Sequence, residues 1–457
     1  MPWEFIHDPV YGYLAQKVTG FVRSQPGAQM HLQPIRIKDT SRINILMIVS
    51  RPDSEKDILF QSMARPLLEK FRPHKARIHL NLLRPPTFEK LQQVLSEKPN
   101  FYHILHFDGH GSFPQPAKLN PLTSHSGEDF PGQLAFKKAG GGIHLVSGAK
   151  LGKLLSGKGV PVVILNACQS GMTDPDALYP SVGGELIKTG ALGVVAMAYS
   201  VYVDTAVEFM KRMYESLING KTLSRAVTVA REALAVQDER ESPIGLIPLQ
   251  DWVVPVLFQS GEVQLFPPSE KKVNLDASII KGKQTDAGTE INLPGKPVYD
   301  FIGRDTDILK LEDSFEKETI VLLQAMAGVG KSTTAVGFAR WWEETGALQG
   351  PIFFFSFESY TTLVQVCDLI GGVFRKIIKA QLQVEWHLLD IAQRRRLAVD
   401  ILRQNACLLI WDNFEPVAGF PRGTPSNWKK GEQEELKEFL KALSGGATKV
   451  ILTSRID

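Results

Sequence analysis

His103-Ile104-Leu105-His106-Phe107-Asp108-Gly109-His110-Gly111 and Val162-Val163-Ile164-Leu165-Asn166-Ala167-Cys168-Gln169-Ser170-Gly171 are two apolar runs that end in groups able to react. A short continuous apolar run bounded by glycine reads as a strand buried on both faces. His110 sits between two glycines, 58 residues upstream of Cys168. A thiolate is a nucleophile and an imidazole beside it accepts its proton. At adjacent strand ends the two form a dyad, whereas either alone is usually a structural residue.

Outward from these runs, further strand-like segments stand at Ile43–Val49, Ala76–Leu82, Leu192–Ala198 and Trp252–Phe258, with the two runs themselves contributing Tyr102–Phe107 and Val160–Leu165. Helical patterns near 55–71, 87–97, 181–190 and 203–236 alternate with them. Continuous apolar strands separated by helices predict a parallel sheet covered on both faces. Residues 112–146 interrupt the alternation with Gly and Pro, and hold possible hairpin strands at Leu134–Lys137 and Ile143–Val146. Following His110 directly, this loop is placed to line or cover a site at the strand ends. Residues 263–297 show no period and read as a linker. A second alternation follows, with strands near 319–324, 351–355, 407–411 and 449–453 and helices near 331–346, 362–380, 386–403 and 433–443.

Composition bounds the function. A chain of 457 residues holds two to four domains at about 150 residues each. The net charge of +3 gives no nucleic-acid footprint. Cys168, Cys367 and Cys407 are odd in number and widely spaced, which predicts a reducing cytoplasmic setting over a disulfide framework. The N-terminus lacks the pattern of a signal peptide, and the longest nearly uncharged apolar run, Ala191 to Val203, is too short to span a bilayer.

Ala325-Met326-Ala327-Gly328-Val329-Gly330-Lys331-Ser332 fits the phosphate-loop pattern except for Ala in place of the first Gly. It follows an apolar strand and opens a helix, the setting the motif requires. Backbone N–H groups of Gly328, Val329, Gly330 and Thr333 would cradle phosphates, Lys331 would reach the β- and γ-phosphates, and the Ser332 hydroxyl would bind Mg²⁺. Cys407-Leu408-Leu409-Ile410-Trp411-Asp412 reads as the strand ending in the Mg²⁺-associated aspartate. Asn413 follows, where fast ATPases often carry a water-activating glutamate, and Glu415 is the nearest substitute. Arg455, at the end of Lys449–Ser454, is placed to contact a γ-phosphate.

These residues, with Phe301-Ile302-Gly303-Arg304-Asp305, resemble the signal-transducing P-loop ATPases called STAND, which include the NB-ARC and NACHT groups. The resemblance covers 298–457 and implies an ADP/ATP switch, with Gly303 and Arg304 beside adenine. The family's usual C-terminal subdomains do not follow in this sequence. The first half resembles the CHAT domain, a caspase-like peptidase fold, over 43–262. The carrying blocks are His106-Phe107-Asp108-Gly109-His110-Gly111, Gly141-Gly142-Ile143-His144-Leu145-Val146, Leu165-Asn166-Ala167-Cys168-Gln169-Ser170-Gly171, Gly190-Ala191-Leu192-Gly193-Val194-Val195-Ala196-Met197 with Val203-Asp204, and Asp251-Trp252-Val253-Val254-Pro255-Val256-Leu257. Caspase-type peptidases place a His about 50 residues before an Ala-Cys turn. The resemblance implies His110 as base, Cys168 as nucleophile and the N–H groups of Gly111 and Cys168 as oxyanion donors.

These and neighbouring residues admit two other readings. His103, His106, Asp108 and His110 are dense enough for a metal cluster, yet residues three apart on a strand face opposite sides, so His103 and His106 do not converge. Asp174, Asp176, Glu185 and Asp204 fit either solvated loop carboxylates or an acidic pocket for a basic substrate side chain. The expectation is therefore an α/β chain with an N-terminal segment (1–42), a caspase-like three-layer αβα domain, a linker and a P-loop NTPase αβα core. Its expected function is a cysteine peptidase acting on a protein or peptide substrate in bacterial defence or signalling, governed by an ATP/ADP- and Mg²⁺-binding switch. It is expected to form a homo-oligomer on activation, with a sensor module or partner in trans and with no nucleic acid or membrane bound. The alternative is a non-catalytic, nucleotide-dependent scaffold.

Overall fold

Strands that are apolar on both faces can be buried only in a sheet covered on both sides. The computed structural model describes residues 3–24, 35–36, 42–52, 67–68, 71, 77–112, 132–167, 181–199, 203–242, 245–265, 290–295, 301, 303–348, 350–420 and 424–455. The chain divides into two compact units, Met1–Ala277 and Ser278–Asp457.

In the first unit we label β1 (Ile43–Val49), β2 (Ile78–Leu82), β3 (Ile104–Gly109), β4 (Gly111–Ser112), β5 (Gln133–Lys137), β6 (Ile143–Ser147), β7 (Val162–Ala167), β8 (Gly193–Met197) and β9 (Pro255–Gln259). The helices that pack on its large sheet are labelled α1 (Phe88–Glu97), α2 (Gly148–Gly157), α3 (Val182–Lys188), α4 (Val203–Ile218) and α5 (Leu223–Val236). The large sheet has the order β9-β8-β7-β3-β1-β2. All neighbours are parallel except β9, which runs antiparallel to β8. That edge departs from the all-parallel expectation for a reason of parity. The single helical pattern read over 203–236 is two helices, broken at Gly220 with φ +79° and restarted by Thr222, whose side chain accepts from Arg225 N–H. Two helices return the chain to the end of the sheet it left, so the next strand must run backwards. That strand starts at Pro255 and not at Trp252, because Asp251–Val253 form a 3-10 turn.

Alternation along the strands supplies two packed faces. Leu105, Phe107, Val163, Leu165, Val194 and Ala196 share one core with Leu91 and Leu95 of α1, Leu151 and Leu155 of α2, and Leu186 and Ile187 of α3. On the other face His106 stacks on Tyr214 of α4, ring centroids 6.0 Å apart, and its Nδ1 shares a 3.0 Å hydrogen bond with the phenol. Helices thus cover both sides. Three short strands, β4-β5-β6, form a separate antiparallel sheet just after β3. The expected hairpin strands lie within β5 and β6.

Burial pushes the His106 imidazole down to about 4, partly opposed by Asp108. Its folded value lies below the ordinary 6.5, so the unfolded chain binds the proton first as pH falls. Stability is full above about pH 6.5 and is lost progressively towards pH 4. The expected loss is about 3 kcal/mol at 1.36 kcal/mol per unit. Urea denaturation at pH 7 and pH 4.5 checks this, and His106→Gln should flatten that part of the dependence.

The N-terminal residues are tied to the same unit by a buried charge. Glu4, fully buried, accepts from Arg23 at 3.1 and 2.7 Å and lies 3.8 Å from Arg231 of α5. Arg231 also donates to the Pro255 carbonyl at 3.2 and 2.8 Å.

The second unit has β10 (Glu290–Ile291), β11 (Ile320–Gln324), β12 (Ile352–Ser356), β13 (Leu408–Asp412) and β14 (Lys449–Ser454), in the order β10-β12-β13-β14-β11 and all parallel. We label its helices α6 (Asp305–Lys317), α7 (Lys331–Glu344), α8 (Leu363–Leu382), α9 (Ile391–Gln404) and α10 (Lys430–Leu443). Phe353, Phe355, Leu409 and Trp411 pack with Val366, Ile370, Leu402, Leu436 and Phe439 of α8 to α10. Phe315 of α6 meets Phe338 and Trp342 of α7 at 5.7 and 5.1 Å. The pattern read as one helix over 386–403 is a 3-10 turn, Trp386–Leu388, followed by α9. Asp390 makes the restart, accepting from Gln393 N–H while the Gln393 side chain accepts from Asp390 N–H.

Candidate functional site

Strands β3 and β7 are hydrogen-bonded neighbours in parallel register, from Val162 opposite Ile104 to Ala167 opposite Gly109. The two strands therefore end at one level, and the next residues in the chain are Cys168 and His110. Cys168 itself lies outside the described residues, as do Asp174 and Asp176. His110 is exposed, and its carbonyl accepts from Ala135 N–H of β5 at 2.9 Å. Gly111 follows in β4 opposite Leu134. The turn at Gly109 admits no side chain: a Cβ there would stand 2.6 Å from the Phe107 ring and 3.0 Å from the Ser50 carbonyl.

Beneath these ends lies a buried polar group. Asp108 is fully buried, and one of its oxygens accepts from Arg51 Nη2 at 3.0 Å and from Asn166 Nδ2 at 2.9 Å. Arg51 follows β1, Asp108 belongs to β3 and Asn166 to β7, so one carboxylate joins the carboxyl ends of three adjacent strands. The second oxygen, Oδ2, is buried with no hydrogen-bond partner among the described residues. Arg51 also donates to the Ser50 carbonyl at 3.0 Å, and Ser50 Oγ donates to Ala135 O at 2.7 Å, linking the floor to β5. Removing one partner of a buried ion pair strands the other charge. Asp108→Ala is expected to cost about 3–5 kcal/mol, seen as a lower urea midpoint at unchanged slope. The sequence signal was present: an aspartate inside an otherwise apolar strand must find partners there.

His103 Nδ1 accepts from Asn44 N–H at 2.9 Å, on the other side of the strand from His106 and Tyr214. Among the described residues no group of three or more His, Cys, Asp or Glu side chains is placed to hold a metal ion. Glu185 pairs with Lys188 at 3.4 Å, and Asp204 is exposed in the first turn of α4.

In the second unit the glycine loop joins β11 to α7. Gly328 has φ +78° and Gly330 φ +90°, the latter capping α7, so both need the left-handed backbone that glycine adopts without strain. Lys331 Nζ donates to the Ala325 carbonyl at 2.8 Å and to the Met326 carbonyl at 3.0 Å. Ser332 and Thr333 occupy the first turn of α7. Arg304, after Gly303 (φ +79°), pairs with Asp307 at 2.9 Å and hydrogen-bonds the Val329 carbonyl. A cavity of about 280 Å³ opens here, lined by Arg304, Leu311, Leu323, Val329, Lys331 and Thr334.

Asp412, buried at the end of β13, accepts from Thr453 Oγ1 at 2.6 Å. Asn413 is left-handed at φ +54°, and its N–H donates to the same Thr453 hydroxyl at 3.0 Å. Asparagine tolerates that backbone where most side chains do not, which accounts for Asn at this position. Arg455 pairs with Glu415 at 2.8 Å. Strand β14 lies between β13 and β11, so Gly328 to Thr333, Asp412 and Arg455 belong to the carboxyl ends of three adjacent strands or the segments just after them.

Among the described residues no helix is long and apolar enough to cross a membrane. Among solved structures the chain is similar to the separase–securin complex of Saccharomyces cerevisiae, with 14% identity over 50% of this chain and a TM-score of 0.30. It spans only 13% of that chain. Similarity also extends to the Arg-specific cysteine proteinase gingipain R, at 15% identity over 50% of this chain and 48% of the other, with a TM-score of 0.32. Caspase-1 from Spodoptera frugiperda is 11% identical over 54% of this chain and 95% of its own, with a TM-score of 0.30. No curated protein matches. The family match is direct: residues 1–258 match the CHAT domain, and with more than half of its length inside that match the chain belongs to the CHAT domain family.

Proposed function

We propose that this protein is a CHAT-type cysteine peptidase whose activity is governed by an ATP/ADP switch in its second unit. The observation that carries the peptidase reading is the pairing of Ala167 with Gly109, which ends the Cys168 and His110 strands side by side. In the proposed mechanism His110 takes the thiol proton of Cys168, the thiolate attacks a peptide carbonyl, and N–H groups of Gly111 and Cys168 receive the oxyanion. Protonated His110 then gives its proton to the leaving amine, and water releases the acyl group. The Asp108–Arg51–Asn166 group supports this reading as a floor that keeps β1, β3 and β7 in register.

The switch reading is supported by the left-handed glycines, by Lys331 at the helix start, and by Asp412 and Arg455 following neighbouring strands. In it, Gly328 to Thr333 bind phosphates, Arg304 with Gly303 borders the base, and Arg455 contacts the γ-phosphate. Ser332 and Asp412 offer hard oxygen donors suited to Mg²⁺, which when bound offsets phosphate charge. The proposed division is a peptidase domain over 43–262, a linker over 263–297 and a STAND P-loop NTPase core over 298–457. The proposed setting is cytoplasmic bacterial defence or signalling, with a protein substrate, oligomerisation on activation and a sensor or partner in trans.

A peptide library incubated with the full chain tests the peptidase reading. Cleavage that disappears in Cys168→Ala supports it. No cleavage with or without ATP, or cleavage that survives the substitution, overturns it in favour of a nucleotide-dependent scaffold.

A further inference from the structure

The small sheet beside His110 carries apolar side chains that the core does not take up. Its inner face is filled: Leu134, Phe136 and Val146 are fully buried in the core of the first unit. On its outer face Ile143 is 50% and Leu145 46% exposed, at alternate positions of β6, which among the described residues is an edge strand of that sheet. Just ahead of them the hairpin turns through Gly140, Gly141 and Gly142, all at positive φ and in open space. Single exposed apolar residues are ordinary, but two neighbours on a strand edge invite aggregation unless they are used.

Register ties this face to His110. Gly111 is paired with Leu134, and Ala135 N–H donates to the His110 carbonyl at 2.9 Å, so His110 stands opposite Ala135. Ala135 is in turn paired with Leu145. Paired residues of antiparallel strands project to one face. His110, Ala135 and Leu145 therefore form one row across three strands, with the small, buried Ala135 between two exposed side chains. Ile143, paired with Lys137, lies two residues along on the same face. Neighbouring strands are about 4.8 Å apart, which puts Leu145 about 10 Å from His110. An extended peptide advances about 3.3 Å per residue and covers that distance in about three residues.

We infer that Leu145 and Ile143 form a substrate subsite, which takes an apolar side chain about three residues from the peptide bond cleaved beside His110. The inference rests on the peptidase reading and adds a specificity to it. The occupant is the polypeptide substrate itself, laid in extended form across the row from His110 to Leu145. Ala135 has no long side chain to lift the substrate off the sheet. A Leu, Ile, Val or Phe of the substrate that lands on Leu145 and Ile143 removes apolar surface of both partners from water. A serine there gains nothing comparable. The subsite thus selects among sequences by an anchor set apart from the cut bond, and it needs no charged group in the cleft.

The test uses the full chain and quenched fluorogenic peptides built on a library hit, varied only at the positions about two to four residues from the cut bond on either side. The native chain is expected to favour Leu, Ile, Val or Phe over Ser at one of them by about 10-fold or more in kcat/KM, the discrimination an apolar contact supplies. In the double variant Ile143→Ser with Leu145→Ser that preference should collapse to within about twofold, the loss appearing in KM and for the apolar peptide only. Leu145→Met, which keeps an apolar side chain of similar volume, should retain it. Should the double variant fail to fold, Leu145→Ser alone must weaken the preference by about threefold or more. An unchanged preference in a folded variant overturns the inference, and so does a native chain indifferent at all these positions. A native chain that cleaves no peptide overturns the peptidase reading itself and the inference with it.

Discussion

Cys168→Ala is expected to lower peptide cleavage by at least about 10³-fold, and His110→Ala by a similar factor. The reason is chemical: without the thiol there is no nucleophile to form the acyl-enzyme, and without the imidazole no base takes the thiol proton. Because the two act as one unit, the double variant should lose little more than either single one. Initial rates on fluorogenic peptides chosen from library hits measure this. His110 is exposed, so the melting temperature of His110→Ala should shift by only a few degrees. A loss of cleavage with an intact melting transition separates chemistry from folding. Additive losses in the double variant would argue that the residues do not work together.

The second large effect belongs to Lys331. Lys331→Ala is expected to weaken ATP and ADP binding by about 10²-fold or more, since it removes a cation that would make charge-assisted hydrogen bonds to phosphate oxygens. In the structure this amine is held by the Ala325 and Met326 carbonyls, at 2.8 and 3.0 Å. Met326 is 83% exposed, so water can replace the lysine there and the fold should hold. Titration of a fluorescent nucleotide, followed by chemical denaturation of the same sample, reads both quantities. Unchanged nucleotide affinity would sink the switch reading. Comparing peptide cleavage by the Lys331 variant with that of the native chain then asks whether the second unit controls the first.

Much of the fold was legible because strand burial leaves a direct mark on composition. The runs at Ile43–Val49, Ile104–Gly109 and Val162–Ala167 are predominantly apolar because both faces of their sheet are covered. What the periodicity missed are elements decided by a few residues. The break at Gly220 and Thr222 divides one amphipathic pattern into two helices, and that division reverses β9. Asp390 and Gln393 divide another in the same way. The Glu4–Arg23–Arg231 group joins residues far apart in the chain, and no local pattern announces it.

The candidate site was legible in part. His110 and Gly111 follow β3, and β7 ends at Ala167 opposite Gly109, one residue before Cys168 in the chain. The glycine loop caps α7 as the motif required. Glu415 appeared in the sequence only as a nearby acid, and its pairing with Arg455 depends on where β13 and β14 end. The partners of Asp108 are not legible in the sequence, because Arg51, Asp108 and Asn166 become neighbours only when β1, β3 and β7 are laid side by side.

The sequence by itself determined which segments must be buried and which residue types can react, because burial and reactivity are properties of side chains and their immediate order. Strand order, register and the direction of the last strand were decided by tertiary structure, because they depend on which hydrogen-bonding edge each strand finds. The pairing of Ala167 with Gly109 is of that second kind: two runs 58 residues apart end at one level only after the sheet has formed.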